Sequence, residues 1–382
     1  MSSFSKITLN KDALTNNVRF IQSQIGEDAE FVSVVKGNAY GHGISTFVPL
    51  LSEVGVRSFA VFNSEEAKQV LNTGVPFNRL MIMGAVHDED LPWIIEKGLE
   101  CFVFTKNRLR KGIEIAEQKN LKFRVHIEIE TGMNRTGFDE ADWSKVCSLL
   151  SDHENAVQVQ GICTHLAGAE EISNYLRIQR QLERFERAKE YFKQRGISTD
   201  NAHAACSAGV INYPDTIGKM VRVGILQYGF WPSKESKMGW LAKNETTEDP
   251  LQRVIEWSSS IMSIKEVKAN EYVGYGLSFL TEMPMRIATV PVGYSNGYSR
   301  ALSNRGKVLV RSRRMDVIGI VNMNLLMIDV TNIPDIMEGD EVILIGKQGE
   351  QEVSVASFSD FSSLLNYQLL TRLPERIDRI VK

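Results

Sequence analysis

The stretch Val34-Val35-Lys36-Gly37-Asn38-Ala39-Tyr40-Gly41-His42-Gly43 delivers a lysine from a short apolar run, Phe31 to Val35, straight into a glycine-rich turn. An amine at the end of a buried strand is partly desolvated, loses its proton more readily, and becomes a nucleophile or a base. A lysine whose stem merely lines the strand end while its head reaches water is the plain alternative. Four further clusters decide between them. These are Glu130-Thr131-Gly132-Met133-Asn134-Arg135, Thr164-His165-Leu166, Ala205-Cys206-Ser207-Ala208 and Arg222-Val223-Gly224-Ile225, each at or near the end of another apolar run.

The elements that position them follow from periodicity. Lys11 to Gly26 reads as a helix and Phe31 to Val35 as the first buried strand. Apolar runs then recur at Ser58–Phe62, Leu80–Met83, Glu100–Phe104, Phe123–Glu130, Val159–Leu166, Ala202–Ser207 and Met220–Gly229, separated by helical stretches such as Glu65–Leu71 and Tyr175–Arg195. Eight buried strands alternating with helices predict a parallel (β/α)8 TIM-type barrel over residues 10–245. A doubly wound open sheet would carry G-x-G-x-x-G after its first strand, and Lys36-Gly37-Asn38-Ala39-Tyr40-Gly41 does not supply it.

Beyond the polar run Lys243 to Pro250 the helices stop. Val254–Tyr275, Met285–Tyr294, Lys307–Met323, Leu326–Val330 and Glu341–Gly346 predict a mainly antiparallel β domain over 246–382, closed by a helical stretch from Ala356 to Leu365, with residues 1–9 as a strand joining it.

In a barrel, chemistry collects where strands end, and the loops after the last strands commonly build a phosphate site. The five clusters fall on that rim. Ser207 with the Gly224-Ile225 backbone forms a candidate anion anchor beside Lys36, and that pairing points to pyridoxal phosphate held on the lysine. Each residue alone also has a structural reading: Ser207 as a helix cap, Gly224 as relief of packing, His165 as a satisfied core histidine, Arg135 and Arg222 as partners of carboxylates.

A net charge of −3 offers no electrostatic footprint for nucleic acid or an anionic membrane. The N-terminus lacks an apolar core of signal-peptide length, no later run has the length of a membrane span, and a cytoplasmic enzyme is expected. Cys101, Cys147, Cys163 and Cys206 form no C-x-x-C pair, so no metal site is expected and the thiols read as reduced.

Over essentially its whole length the chain resembles the alanine racemase family. Val34 to Gly43 looks like the cofactor-lysine motif, with Gly37 where alanine is common. Thr131-Gly132-Met133-Asn134-Arg135-Thr136-Gly137 resembles the arginine motif. Gly161-Ile162-Cys163-Thr164-His165-Leu166-Ala167, Ser207-Ala208 and Arg222-Val223-Gly224-Ile225-Leu226-Gln227-Tyr228-Gly229 follow in the family's order. Gly274-Tyr275-Gly276, Pro291-Val292-Gly293-Tyr294, Met323-Asn324 and Tyr367 match its later landmarks.

The resemblance implies an isomerase that uses pyridoxal 5'-phosphate to interconvert L- and D-alanine, supplying D-alanine for peptidoglycan. Lys36 and Tyr275 would be the two bases, one on each face of the substrate carbon. Lys36, Tyr40, Arg135, His165, Ser207, Arg222, Gly224, Ile225 and Tyr367 would hold the cofactor. Arg135, Met323, Asn324 and Tyr294 would bind or admit the substrate. Because Tyr275, Met323 and Asn324 would come from a partner subunit, the resemblance implies a homodimer with shared active sites.

Two departures stand out. Glu128 occupies a place where the family often has a carbamylated lysine, and is expected to position Arg135 unmodified. Asn324 stands where aspartate is usual, which leaves a racemase of broader range (serine or longer side chains) as an alternative. A decarboxylase of basic amino acids would need a cysteine acid in the second domain, whereas all four cysteines precede it. A carrier of the cofactor without turnover would have no use for Tyr275.

Overall fold

The computed structural model describes residues 4–355 and 366–382, with the side chains of 366 and 367 left out. The helical stretch expected over 356–365 and the side chain of Tyr367 lie outside the described residues. The chain forms two compact units. One comprises residues 12–36 and 48–252, the other residues 1–11, 37–47 and 253–382.

The first strand, β1 (Ser5–Leu9), belongs to the second unit, and the first unit is built on β2 (Glu30–Val34), β3 (Ser58–Val61), β4 (Arg79–Ile82), β5 (Glu100–Val103), β6 (Phe123–Glu128), β7 (Val157–Cys163) and β8 (Met220–Val223). They pair in parallel in the order β7-β6-β5-β4-β3-β2-β8. β3 is buried at every position, as expected for a parallel sheet with both faces covered. The expected strand at Ala202–Ser207 is present only as two bridges, Cys163 to His203 and Cys206 to Arg222. His203 N–H donates to Ile162 O at 2.9 Å and Arg222 N–H to Ala205 O at 3.0 Å, so this segment still links β7 to β8 and closes the ring. Its composition, Ala-His-Ala-Ala-Cys-Ser, lacks the β-branched residues that fill a pleated surface, and it forms isolated bridges instead of a ladder, with Thr164 N–H also donating to His203 O at 3.3 Å.

The second unit contains β9 (Ile255–Ser260), β10 (Ser263–Val267), β11 (Met285–Val290), β12 (Lys307–Val310), β13 (Arg313–Ile318), β14 (Leu326–Asp329), β15 (Glu341–Gln348), β16 (Gln351–Val353) and β17 (Asp378–Val381). The order is β10-β11-β14-β13-β12-β15-β9-β1-β17, with β16 on β15. Every pairing is antiparallel except β1 with β17. Trp257 on β9 is fully buried, packs its ring 6.2 Å from that of Tyr298, and donates its indole N–H to Ser5 Oγ at 2.6 Å. No helix among the described residues is long and apolar enough to cross a membrane.

Candidate active site

One residue, Val35, separates Lys36 from β2, whose pairing with β3 continues through Val35 N–H to Ala60 O at 2.9 Å. The amine keeps solvent access at the strand end, yet the surrounding barrel wall desolvates it. That burial, with the charges of Arg135 and Arg222, holds its pKa below the ordinary lysine range, against the opposing pull of Glu66. After it, Gly37, Asn38, Ala39 and Tyr40 take four successive left-handed conformations with φ of 63°, 53°, 53° and 51°. Each non-glycine residue there costs about 1–2 kcal/mol. The turn is held from within: Gly43 N–H donates to Asn38 O at 2.9 Å, and Ile44 N–H to Asn38 Oδ1 at 2.8 Å.

Arg135 sits on the loop after β6. Glu130 braces that loop, its carboxylate accepting the backbone N–H groups of Gly132, of Asn134 at 2.9 Å and of Arg135 at 3.4 Å. Gln181, buried on the helix Tyr175–Lys193, ties the loop to the neighbouring strand end. Its amide donates to Thr131 Oγ1 at 3.1 Å and His165 O at 3.0 Å, and its oxygen accepts Ala167 N–H at 2.8 Å. Sequence reasoning assigned no role to Gln181, since a glutamine on a helix face carries no pattern.

Glu128 is buried on β6, and its Oε1 accepts the Thr136 hydroxyl at 3.0 Å. Burial raises its pKa, countered by that hydrogen bond and the charges of Arg135 and Arg222. The expected grip on Arg135 is therefore indirect: the hydrogen bond holds the next residue, Thr136.

His165 is driven down to about 3 by burial, then by the charges of Arg222, Arg135 and Lys36, and it is neutral at working pH. Ser207 opens the short helix Ser207–Asn212, and its Oγ accepts the Gly224 N–H at 3.0 Å. The serine proton is thereby left to donate elsewhere. Gly224 spends its amide on that bond, while Ile225 stands first in a 3-10 turn, where the N–H has no partner within the turn. Arg222 is buried on β8, donating from Nη2 to Thr164 O at 2.8 Å and from Nη1 to His203. Lys36, Arg135, His165, Ser207, Arg222, Gly224 and Ile225 thus all belong to one unit.

Tyr40, Tyr275, Tyr294, Met323 and Asn324 belong to the other. Tyr275 stands 72% exposed on a turn whose base, Val273, is buried with Val267, Ile287, Ile318 and Met327. Tyr294, Met323 and Asn324 are brought together: Tyr294 N–H donates to Asn322 O at 3.0 Å and Ser295 N–H to Met323 O at 2.9 Å. Among the described residues, no group of three or more His, Cys, Asp or Glu side chains is placed to hold a metal ion.

A closed parallel ring, a desolvated lysine at a strand end and an appended β unit define a class of two-unit barrel enzymes organised around one amine. The profile "Alanine racemase, N-terminal domain" matches residues 9–232, and "Alanine racemase, C-terminal domain" matches residues 254–381. An alanine racemase of Leptospira interrogans is 32% identical over 382 residues, covering 99% of this chain and 95% of that protein. The solved alanine racemase of Clostridium difficile superposes with a TM-score of 0.90 at 29% identity, covering 100% of this chain and 96% of that one. That of Bartonella henselae, which carries covalently bound pyridoxal phosphate, superposes with a TM-score of 0.84 at 26% identity, covering 100% of both chains. The chain belongs to the alanine racemase family.

Proposed function

We propose that this protein is a pyridoxal 5'-phosphate-dependent racemase that interconverts L- and D-alanine. The observation that carries the reading is the Lys36 amine, its pKa lowered by burial and by Arg135 and Arg222, on the same barrel rim as a neutral His165. These residues fit the cofactor: an amine able to lose its proton, a serine hydroxyl and the Ile225 amide free to donate to an anion, and a buried guanidinium. When bound, pyridoxal phosphate supplies an electron sink for the carbon that loses its proton.

Lys36 takes the proton from one face of the substrate carbon, and Tyr275 of a second subunit returns one to the other face. Arg135 offers a planar fork to the substrate carboxylate and the ring hydroxyl. Ser207, Ile225 and Tyr40 would hold the phosphate, with Gly224 fixing Ser207. Arg222 cannot give up its proton, so against the cofactor's pyridine nitrogen it would keep that nitrogen unprotonated and disfavour transamination. His165, neutral and next to Arg222 in charge, relays that field towards Tyr275. Met323 and Asn324 line the carboxylate pocket and Tyr294 narrows its entrance.

The reading includes a cytoplasmic homodimer supplying D-alanine for the cell wall. Four free cysteines suit a reducing compartment. A broader substrate range is the second reading, favoured by the uncharged Asn324. The test is to incubate purified holoenzyme with single enantiomers of alanine, serine and longer amino acids. Loss of optical activity without keto acid or carbon dioxide is expected, fastest with alanine. Release of carbon dioxide or no loss of optical activity would refute it.

A further inference from the structure

Beneath Arg222 a line of buried polar side chains runs across the barrel interior. Nη1 of Arg222 donates to Nδ1 of His203. Nε2 of His203 lies 3.0 Å from Nδ1 of His126, and Nε2 of His126 lies 2.8 Å from Oε2 of Glu100. Glu100 also accepts Arg79 Nη1 at 2.7 Å, and its other oxygen lies 3.3 Å from Arg124 Nη2. His126, His203 and Glu100 are each at most 1% exposed.

The direction of every bond in this line is forced. Arginine has donors only, so Nδ1 of His203 must present its lone pair, which puts the His203 proton on Nε2. That proton points at Nδ1 of His126, which must then accept, leaving the His126 proton on Nε2, directed at a carboxylate. A proton on Nδ1 of His203 would set donor against donor and charge against charge at Arg222. Burial in the barrel interior keeps His126 below the ordinary histidine range against the upward pull of Glu100, and His203 well below it, with Arg222 and Arg79 adding to the effect of burial. The nearest side-chain carboxylate to Arg222 along this line is therefore reached only through two neutral imidazoles.

The packing is built for the pair. The ring of Phe102 lies 5.5 Å from that of His126 and 5.9 Å from that of His203. A Cβ on Gly161 would stand 2.4 Å from the carbonyl oxygen of Asn201 and 3.2 Å from Nδ1 of His126, so glycine is required beside the pair.

We propose that Glu100 is a positioning residue for Arg222: acting through His126 and His203, it fixes a single tautomer in both imidazoles and so sets the plane of the guanidinium. The line ends at the group that Arg222 would present to the cofactor, and in this respect the proposal rests on the racemase reading. Removing Glu100 leaves the Nε2 proton of His126 without its anionic acceptor; the two rings can then reverse together whenever Arg222 releases Nδ1 of His203, and the guanidinium loses its fixed plane.

The test has two arms. In the apoprotein labelled with 15N-histidine, NMR is expected to show His126 and His203 neutral and protonated at Nε2, unchanged from about pH 6 to 9. In Glu100→Gln the His203 signals should shift towards a tautomeric average. The loaded Glu100→Gln enzyme should lose about tenfold in kcat with KM for alanine within about twofold, and Glu100→Asp should recover most of the loss. A His203 proton on Nδ1 in the wild type, or a folded Glu100→Gln enzyme with unchanged His203 signals and unchanged kcat, would overturn the proposal. The wild-type spectrum decides even where the variant does not fold. Absence of turnover by the wild type would sink the racemase reading, while the apoprotein spectrum would still report on the relay.

Discussion

Ser295 Oγ donates to Asn324 Oδ1 at 2.6 Å, and Ser295 is itself held by Arg376, whose Nη2 donates to Ser295 O at 2.9 Å. The amide oxygen of Asn324 thereby accepts a hydrogen bond, which leaves its NH2 as the donor of the pair. An aspartate at this position would accept the same hydroxyl but present a second acceptor where asparagine presents a donor. Asn324→Asp is therefore expected to lower kcat/KM for serine relative to alanine by about fivefold, about 1 kcal/mol of discrimination. Racemisation rates for both substrates measure it. An unchanged ratio would remove Asn324 from the specificity argument.

Tyr275→Phe keeps the ring and removes the hydroxyl from an exposed turn, so neither folding nor cofactor binding should suffer. The expected loss in kcat is about 10²–10⁴-fold, the range for a missing acid–base group. Because Lys36 and Tyr275 are assigned to different subunits, mixing Lys36→Ala and Tyr275→Phe chains should restore about a quarter of wild-type activity through randomly formed dimers. Mixtures that stay as inactive as either variant alone would place both bases in one subunit or remove one of them.

His42 and His165 are both driven to about 3, by burial first, and His126 and His203 are lowered in the same way. The unfolded chain binds these protons near pH 6.5, whereas the folded chain does not. Stability is therefore complete above about pH 6.5 and is lost as pH falls from there, by about 1.4 kcal/mol per unit for each of His42 and His165, with His126 and His203 acting in the same direction. Urea midpoints of the apoprotein between about pH 7.5 and 5 should fall steeply below about pH 6.5. A flat profile down to about pH 5 would mean that these rings are not buried as neutral groups.

A Cβ added at Gly41 would stand 1.9 Å from the carbonyl oxygen of Leu370, at a backbone φ of 80°. The Gly41 carbonyl meanwhile accepts Arg379 Nη2 at 2.9 Å, so the backbone cannot move away without breaking that bond. Gly41→Ala should cost about 3 kcal/mol or more, combining overpacking with left-handed strain. Thermal unfolding would register it, and a variant as stable as wild type would show that this turn relaxes freely.

Lys36, Arg135, His165 and Ser207 were legible as candidates because each stands at or after the end of an apolar run, and a barrel puts such positions on one face, whereas Arg222 lies within Met220–Val223 and was legible as a cation inside an apolar run. The residues that brace them were not. Glu100 opens a strand, His126 lies within another, and His203 falls in an alanine-rich segment. None of the three differs in pattern from an ordinary buried polar group, and only the closed ring shows that they face each other. Glu128 stood out only through the resemblance, as a departure from the family's pattern, and its bond to Thr136 depends on a rotamer that no spacing encodes. The left-handed run after Lys36 was equally hidden, since asparagine, alanine and tyrosine do not announce it as glycine does.

The place of β1 in its sheet bears on how the chain is made. Ser5–Leu9 lies between β9 and β17, and Ser5 receives the indole N–H of Trp257, 252 positions later. During synthesis at about 5–20 residues per second, this strand leaves the ribosome well before either neighbour exists. For those seconds its two hydrogen-bonding edges have no native partner, and an unpaired edge is a template for the wrong strand. Completion of the second unit must await β17, so a nascent chain halted in the barrel carries β1 as an orphan strand.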